Sequence, residues 1–122
     1  MALELYTPRA GKRPDRIATV KITSEALFIS TTAMRLAEAE DTQYAHLWGD
    51  PTTKAIEIEF LEKRDENALT VSRMGSVQTR SIAARGFIRW VGLDPEKHFG
   101  QWRIYPVHRH RLRVDVTMRR PE

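Results

Sequence analysis

Hydrophobic and polar positions change period several times along this chain, and each change marks an element. Ile17 to Ile22 carries β-branched residues in near alternation, and Ala26-Leu27-Phe28-Ile29 follows the polar Thr23-Ser24-Glu25. Alternation with period two sends successive side chains to opposite faces of a strand, so the two runs predict a β-hairpin. The period then lengthens. Ser30-Thr31-Thr32 offers hydroxyls to the free amides of a helix start, and Ala33, Leu36, Ala37 and Glu40 mark one helical face, predicting a helix of about three turns that ends near Asp41. Gln43 to Trp48 reads as an aromatic strand and Gly49-Asp50-Pro51-Thr52 as a turn with proline at a favoured position. In the strand predicted from Lys54 to Leu61, Ile56, Ile58 and Phe60 alternate with Glu57, Glu59 and then Glu62, giving one buried face and one acidic face.

Beyond the charged connection Lys63-Arg64-Asp65-Glu66-Asn67, Ala68 to Met74 and then Ser76-Val77 predict a second strand pair, interrupted at Gly75. Thr79 or Ser81 is placed to cap a helix in which Ala84, Phe87, Ile88 and Val91 recur at helical spacing, and Gly92 stands where a helix-ending glycine belongs. Gln101 to Val107 and Arg111 to Met118 predict the closing strands. The order of strand pair, hydroxyl-capped helix, strand, turn and strand therefore occurs twice, over residues 17–62 and 68–118, with little residue identity between the halves. The expected class is α+β: a small antiparallel β barrel or two packed sheets with two short helices, related by an internal pseudo-twofold repeat if the halves are a duplication. The simpler alternative is an unrelated sheet with both helices on one face. Residues 1–16 contain two prolines, a glycine and no apolar period, which predicts a flexible basic arm ahead of a single domain over 17–122.

Length and composition then restrict the class. A chain of 122 residues can bury one moderate core and hardly two. With 41% hydrophobic and 30% charged residues it is neither poor enough in apolar side chains for wholesale disorder nor rich enough for a membrane protein. No apolar run nears the roughly 20 residues of a membrane helix, and the charged start does not resemble a signal peptide. Cysteine is absent, which removes disulfides, thiolate nucleophiles and thiolate zinc sites and makes the cytoplasm the expected location. The net charge of +4 is unevenly spread. Residues 1–20 hold four basic and two acidic side chains, residues 21–70 five and ten, and residues 71–122 eleven and four. Such two-sidedness bears on partners more than the total does.

Within Ile22 to Phe60, the run Phe28-Ile29-Ser30, a short helix, Tyr44-Ala45-His46-Leu47-Trp48, a turn at Asp50 and Ile56-Glu57-Ile58 resembles the strand–helix–hairpin unit of the AbrB-type swapped-hairpin transcription regulators. The similarity spans about a third of the chain. Thr31-Thr32 and Asp41-Thr42 stand where that family has a proline before the helix and a glycine after it. The resemblance implies a DNA-binding barrel of two units, here in tandem, with basic residues of one face against the phosphates. The element order is also broadly similar to the single-strand-binding transcription cofactors of the PC4 and Whirly type.

The basic second half carries the candidate chemistry. Arg85 and Arg89 lie four apart on the predicted helix and share a face, Arg109, Arg111 and Arg113 alternate on a predicted strand, and Arg103 precedes them. Arginine engages phosphate oxygens bidentately and stacks on bases; Trp90, Trp102 or Tyr105 would add stacking if exposed, and Arg9, Lys12 and Arg13 of the arm could reach a groove. The competing reading leaves these arginines as ordinary solvated faces or pairs them with Glu57, Glu59 and Glu62 of this chain or of a neighbour; the three tryptophans are expected in the core rather than on a binding platform. His108 and His110 would point one way on a strand, but no third ligand stands at a recognisable spacing, so no metal is expected. The chain has no Gly-rich phosphate loop, nucleophile elbow or zinc-protease motif, and Ser72, Ser76 and Ser81 have no histidine at a telling spacing. The expectation is a non-enzymatic nucleic-acid-binding domain without cofactor, with a transcription regulator as its finer form. The alternative is an interaction or self-assembly module in which the acidic Glu57/Glu59 face of one copy meets the basic face of another, as in a homodimer.

Overall fold

A computed structural model of the protein describes residues 17–73 and 79–116. Strands β1 (Thr19–Ile22) and β2 (Ala26–Ile29) form the expected hairpin. Its turn is organised by Thr23, whose Oγ1 accepts from the amides of Glu25 at 3.2 Å and Ala26 at 3.1 Å. Ser30 caps helix α1 (Thr31–Leu36): its Oγ accepts from the Ala33 amide at 3.2 Å and from the Thr19 amide at 3.0 Å, tying the helix start to β1. The helix is shorter than its sequence pattern predicts. Glu38 takes the left-handed conformation (φ 53°), the Ala39 amide donates to Met34 O and the Glu38 amide to Arg35 O, which is a Schellman closure without glycine.

Strands β3 (Tyr44–Gly49) and β4 (Ala55–Leu61) follow as a hairpin, then β5 (Leu69–Arg73) and β6 (Arg80–Ala83). β6 corrects the sequence reading, which placed these residues at a helix start. They are held between β2 and β5 by backbone pairing on both sides, with Arg80 and Ile82 turned inward and Ser81 and Ala83 outward. Ser76-Val77 lies outside the described residues. Helix α2 (Arg85–Val91) therefore begins later, after buried Ala84, with no side-chain cap; it buries Ile88 and Val91 and half-buries Phe87. It ends at Gly92 (φ 81°) in the same closure as α1, the Leu93 amide donating to Ile88 O. The Lys54 ammonium donates to Val91 O at 2.8 Å, a cation at the negative end of the helix. α2 packs so closely on β3 that a Cβ at Gly49 would lie 2.6 Å from Val91 Cγ2.

A one-turn helix α3 (Pro95–His98), capped by Asp94 with proline in first position, was not legible as a helix. The predicted strand from Gln101 to Val107 is two strands, β7 (Gly100–Arg103) and β8 (Tyr105–His108), because the chain changes partners at buried Ile104, whose amide donates to Ala18 O. β9 (Arg111–Asp115) ends the described chain but for Val116; Thr117 and Met118 lie beyond it.

The strands are antiparallel throughout in the order β7-β1-β2-β6-β5-β3-β4-β9-β8, and β7 approaches β9 so that the sheet nearly closes into a barrel. Exchanging β1, β2, β3 and β4 with β5, β6, β7 and β9 leaves this cyclic order unchanged, with β8 outside the exchange. β1 pairs with β7 as β5 pairs with β3, while β2–β6 and β4–β9 join equivalent strands. Inside lie Val20, Ile22, Leu27, Ile29, Ile56, Ile58, Phe60, Ile82, Leu112 and Val114, with Met34 and Val91 from the two longer helices. The barrel is the main source of stability, since burying each such side chain contributes about 1.5–3 kcal/mol.

Candidate nucleic-acid interface

The barrel wall divides into two chemically distinct outer faces. Strands β7, β1, β2, β6 and β5 contain no aspartate or glutamate. Pairing register sets Gln101, Lys21, Phe28, Ser81 and Ser72 in one row across these five strands, all on the outer side. At the usual spacing of about 4.8 Å between strands the row runs about 19 Å. Arg103, opposite Thr19, lies diagonal to Lys21 on the neighbouring strand. Phe28 alternates with the buried Leu27 and Ile29 and so points away from the core, half-buried between Lys21 and Ser81. The positions around it, Thr19, Ala26 and Ala83, are small, which leaves the backbone approachable. Of the arginines singled out from sequence, Arg103 belongs to this face.

The opposite face, on β3, β4 and β9, is a cross-strand charge ladder. His46 faces Glu59, Trp48 faces Glu57, and Glu57 and Glu59 face Arg113 and Arg111. Arg111 Nε donates to Glu57 Oε1 at 2.6 Å and its guanidinium lies 5.2 Å from the Trp48 ring centroid; Arg113 is 3.9 Å from the other Glu57 oxygen. His46 is held between two carboxylates, Nε2 at 2.8 Å from Asp65 and Nδ1 at 3.4 Å from Glu59. The hydrogen bond to Asp65 raises the His46 pKa above its ordinary value against the opposing effect of burial, and Glu59 adds to the rise. The same bond lowers the pKa of Asp65. Arg111 and Arg113, expected to face phosphate, thus share a carboxylate of their own chain.

The remaining candidates are dispersed. Arg85 and Arg89 do share an exposed face of α2, with Arg85 bonded to Glu25 at 2.5 Å. Arg109 sits in the β8–β9 turn, 3.9 Å from Glu38. The arm residues Arg9, Lys12 and Arg13 lie outside the described residues. His108 and His110 do not share a strand: His108 is on β8 and His110 is in the turn with φ 66°, so the paired-ligand geometry is lost. Among the described residues no group of three His, Asp or Glu side chains could hold a metal ion, and no helix is long and apolar enough to cross a membrane. Of the tryptophans expected in the core only Trp102 is there; Trp48 and Trp90 are 50% and 60% exposed, because one points outward from β3 and the other lies on the outer side of α2. Tyr105 on β8 is half-buried.

Lys21, Phe28, Ser81, Ser72 and Gln101 were missed from sequence because they come from five separate strands. Their signal was available in another form: the runs that build this face lack acidic residues although acids are frequent in the chain as a whole. Buried Arg80, likewise unforeseen, donates to Glu40 O at 2.9 Å; burial, then Arg73, lowers its pKa.

Compared with protein-family models, curated proteins and solved structures, the chain matches none of them.

Proposed function

We propose that this protein binds nucleic acid on the acid-free outer face of β7, β1, β2, β6 and β5. The observation that carries the reading is the row Gln101–Lys21–Phe28–Ser81–Ser72, a half-exposed aromatic ring flanked by a cation and hydroxyls with no carboxylate on any of its strands. Lys21 and Arg103 supply phosphate contacts, and the Phe28 ring supplies a surface on which an unpaired base can stack, so the geometry favours single strands over a duplex. Arg9, Lys12 and Arg13 precede β1 in sequence and, in this proposal, add phosphate contacts. A regulatory role, which the resemblance to the transcription regulators implies, is the finer form of this proposal.

The self-assembly alternative is less well supported, because Glu57 and Glu59 are already engaged by Arg111, Arg113, His46 and the Trp48 indole.

Fluorescence anisotropy of labelled single-stranded DNA, duplex DNA and RNA at about 50 and about 200 mM salt tests the proposal. Two phosphate contacts predict a slope of log affinity on log salt of about −1.4 for single strands, steepening to about −3.5 if the three arm cations join. Lys21→Glu with Arg103→Glu is expected to weaken binding by tenfold or more, on the order of one lost contact pair. Phe28→Ala is expected to weaken single-strand binding by about 5- to 150-fold, the range for loss of one stacked base. No binding to any of the three at low salt, or binding indifferent to the double reversal, overturns the assignment.

A further inference from the structure

Away from that face, a cavity of about 410 Å³ opens between the β1–β2 turn, α2 and the α2–α3 connection. Ile88, Leu93, Pro95 and Phe99 supply an apolar floor, while Arg85, Arg89, Ser24 and Glu25 stand at the rim. Its volume falls within the range of small-ligand sites. The walls are tied in place by hydrogen bonds: the Ala84 amide donates to Glu25 O at 2.9 Å, the Leu93 amide to Ile88 O at 3.2 Å, and the Glu96 amide to the side-chain Oδ1 of Asp94 at 2.8 Å. Little ordering is therefore needed to fill it.

The charges at the rim do not cancel. Arg85 is bonded to Glu25 at 2.5 Å, but Arg89, one turn further along the same helix face, forms no ion pair among the described residues. The nearby Asp94 carboxylate is turned to the amide of Glu96 as a helix cap. One unmatched guanidinium beside an apolar floor is complementary to a molecule with one anionic head and an apolar body. We infer that this cavity is a binding site for a small amphiphilic carboxylate, its head taken by Arg89 and its body laid on Ile88, Leu93 and Phe99. Arg85 is the second donor, available when the ligand carboxylate displaces Glu25. The inference is independent of nucleic-acid binding and gives Arg85 and Arg89 a role that the sheet face does not.

Isothermal titration calorimetry with 2-naphthoate, and with neutral 2-naphthamide as its uncharged counterpart, tests it on the full chain. A ligand of this size with one charged contact is expected to bind with Kd of about 10 μM to 1 mM. The amide should bind at least tenfold more weakly, as should 2-naphthoate to Arg89→Gln, on the order of one lost charge-assisted hydrogen bond. Glu25→Gln removes the competing carboxylate and should tighten 2-naphthoate binding. Both substitutions are at exposed side chains, and unchanged thermal melts would show that the fold is retained. No saturable heat with 2-naphthoate, equal affinity for the amide, or unchanged affinity in Arg89→Gln overturns the inference.

Discussion

On the outer face of β3, His46 lies between Asp65 and Glu59, whereas His98 at the end of α3 accepts the Asp94 amide on Nδ1 at 2.8 Å. A nitrogen that accepts a hydrogen bond carries no proton, so the His98 contact requires neutral imidazole. Its pKa is lowered, by burial first and by Lys54 and Lys97, against the pull of Asp94. The two rings thus depend on pH with opposite sign. His46, with its pKa raised, contributes stability that is complete below about pH 6.5 and is lost as pH rises through its folded value. His98, with its pKa lowered, contributes stability that is complete above about pH 6.5 and is lost as pH falls through its folded value. Thermal melts between about pH 5 and pH 8 check both. His46→Gln should lower Tm most at the acid end and His98→Gln most at the alkaline end; a Tm difference constant across the range would show that neither ring is linked to folding in this way.

At the scale of elements, the ladder on β3, β4 and β9 turns a possible binding surface into an internally satisfied one. Glu57 and Arg111 have side chains 26% and 27% exposed, and their short bond is shielded enough to contribute on the order of 1 kcal/mol after allowance for screening. Glu57→Gln should therefore shift the urea midpoint downward with its slope unchanged, by an amount matching about 1 kcal/mol. An unshifted midpoint would mean that the pair contributes nothing net. Sequence made some of these elements legible and concealed others for identifiable reasons. α2 could be read to its end because Gly92 adopts the left-handed conformation that glycine takes readily. α1 could not, because Glu38 adopts the same conformation without being glycine. β6 was mistaken for a helix start because Ser81 has a good cap's chemistry, while pairing on both edges decides its conformation. The alternation that set Ile56, Ile58 and Phe60 inward was readable and held, but the meeting of Lys21 with Arg103 depends on β1 pairing with β7, which no local pattern encodes.

For the whole molecule, the cyclic strand order interlocks the two halves. Neither half completes a sheet alone, since β1 and β2 are flanked by β7 and β6, and β3 and β4 by β5 and β9. Unfolding should accordingly be a single cooperative transition. Ile58→Ala in one half and Ile82→Ala in the other are each expected to remove about 2–5 kcal/mol and to lower both halves together. Coincident loss of far-UV and near-UV circular dichroism would bear this out; two separated transitions would show that the halves melt independently.

The same β1–β7 pairing bears on how the chain is made. During synthesis β1 emerges long before the strand that covers its edge, Gly100–Arg103. Translation at about 5–20 residues per second leaves that edge without its partner for several seconds. An uncovered edge is a template for unwanted pairing, and closing so distant a contact is slow. A nascent chain of this design is exposed to misassembly until Gly100–Arg103 has emerged, and Lys21, whose charge opposes the approach of another copy's basic strand, stands on the strand that waits.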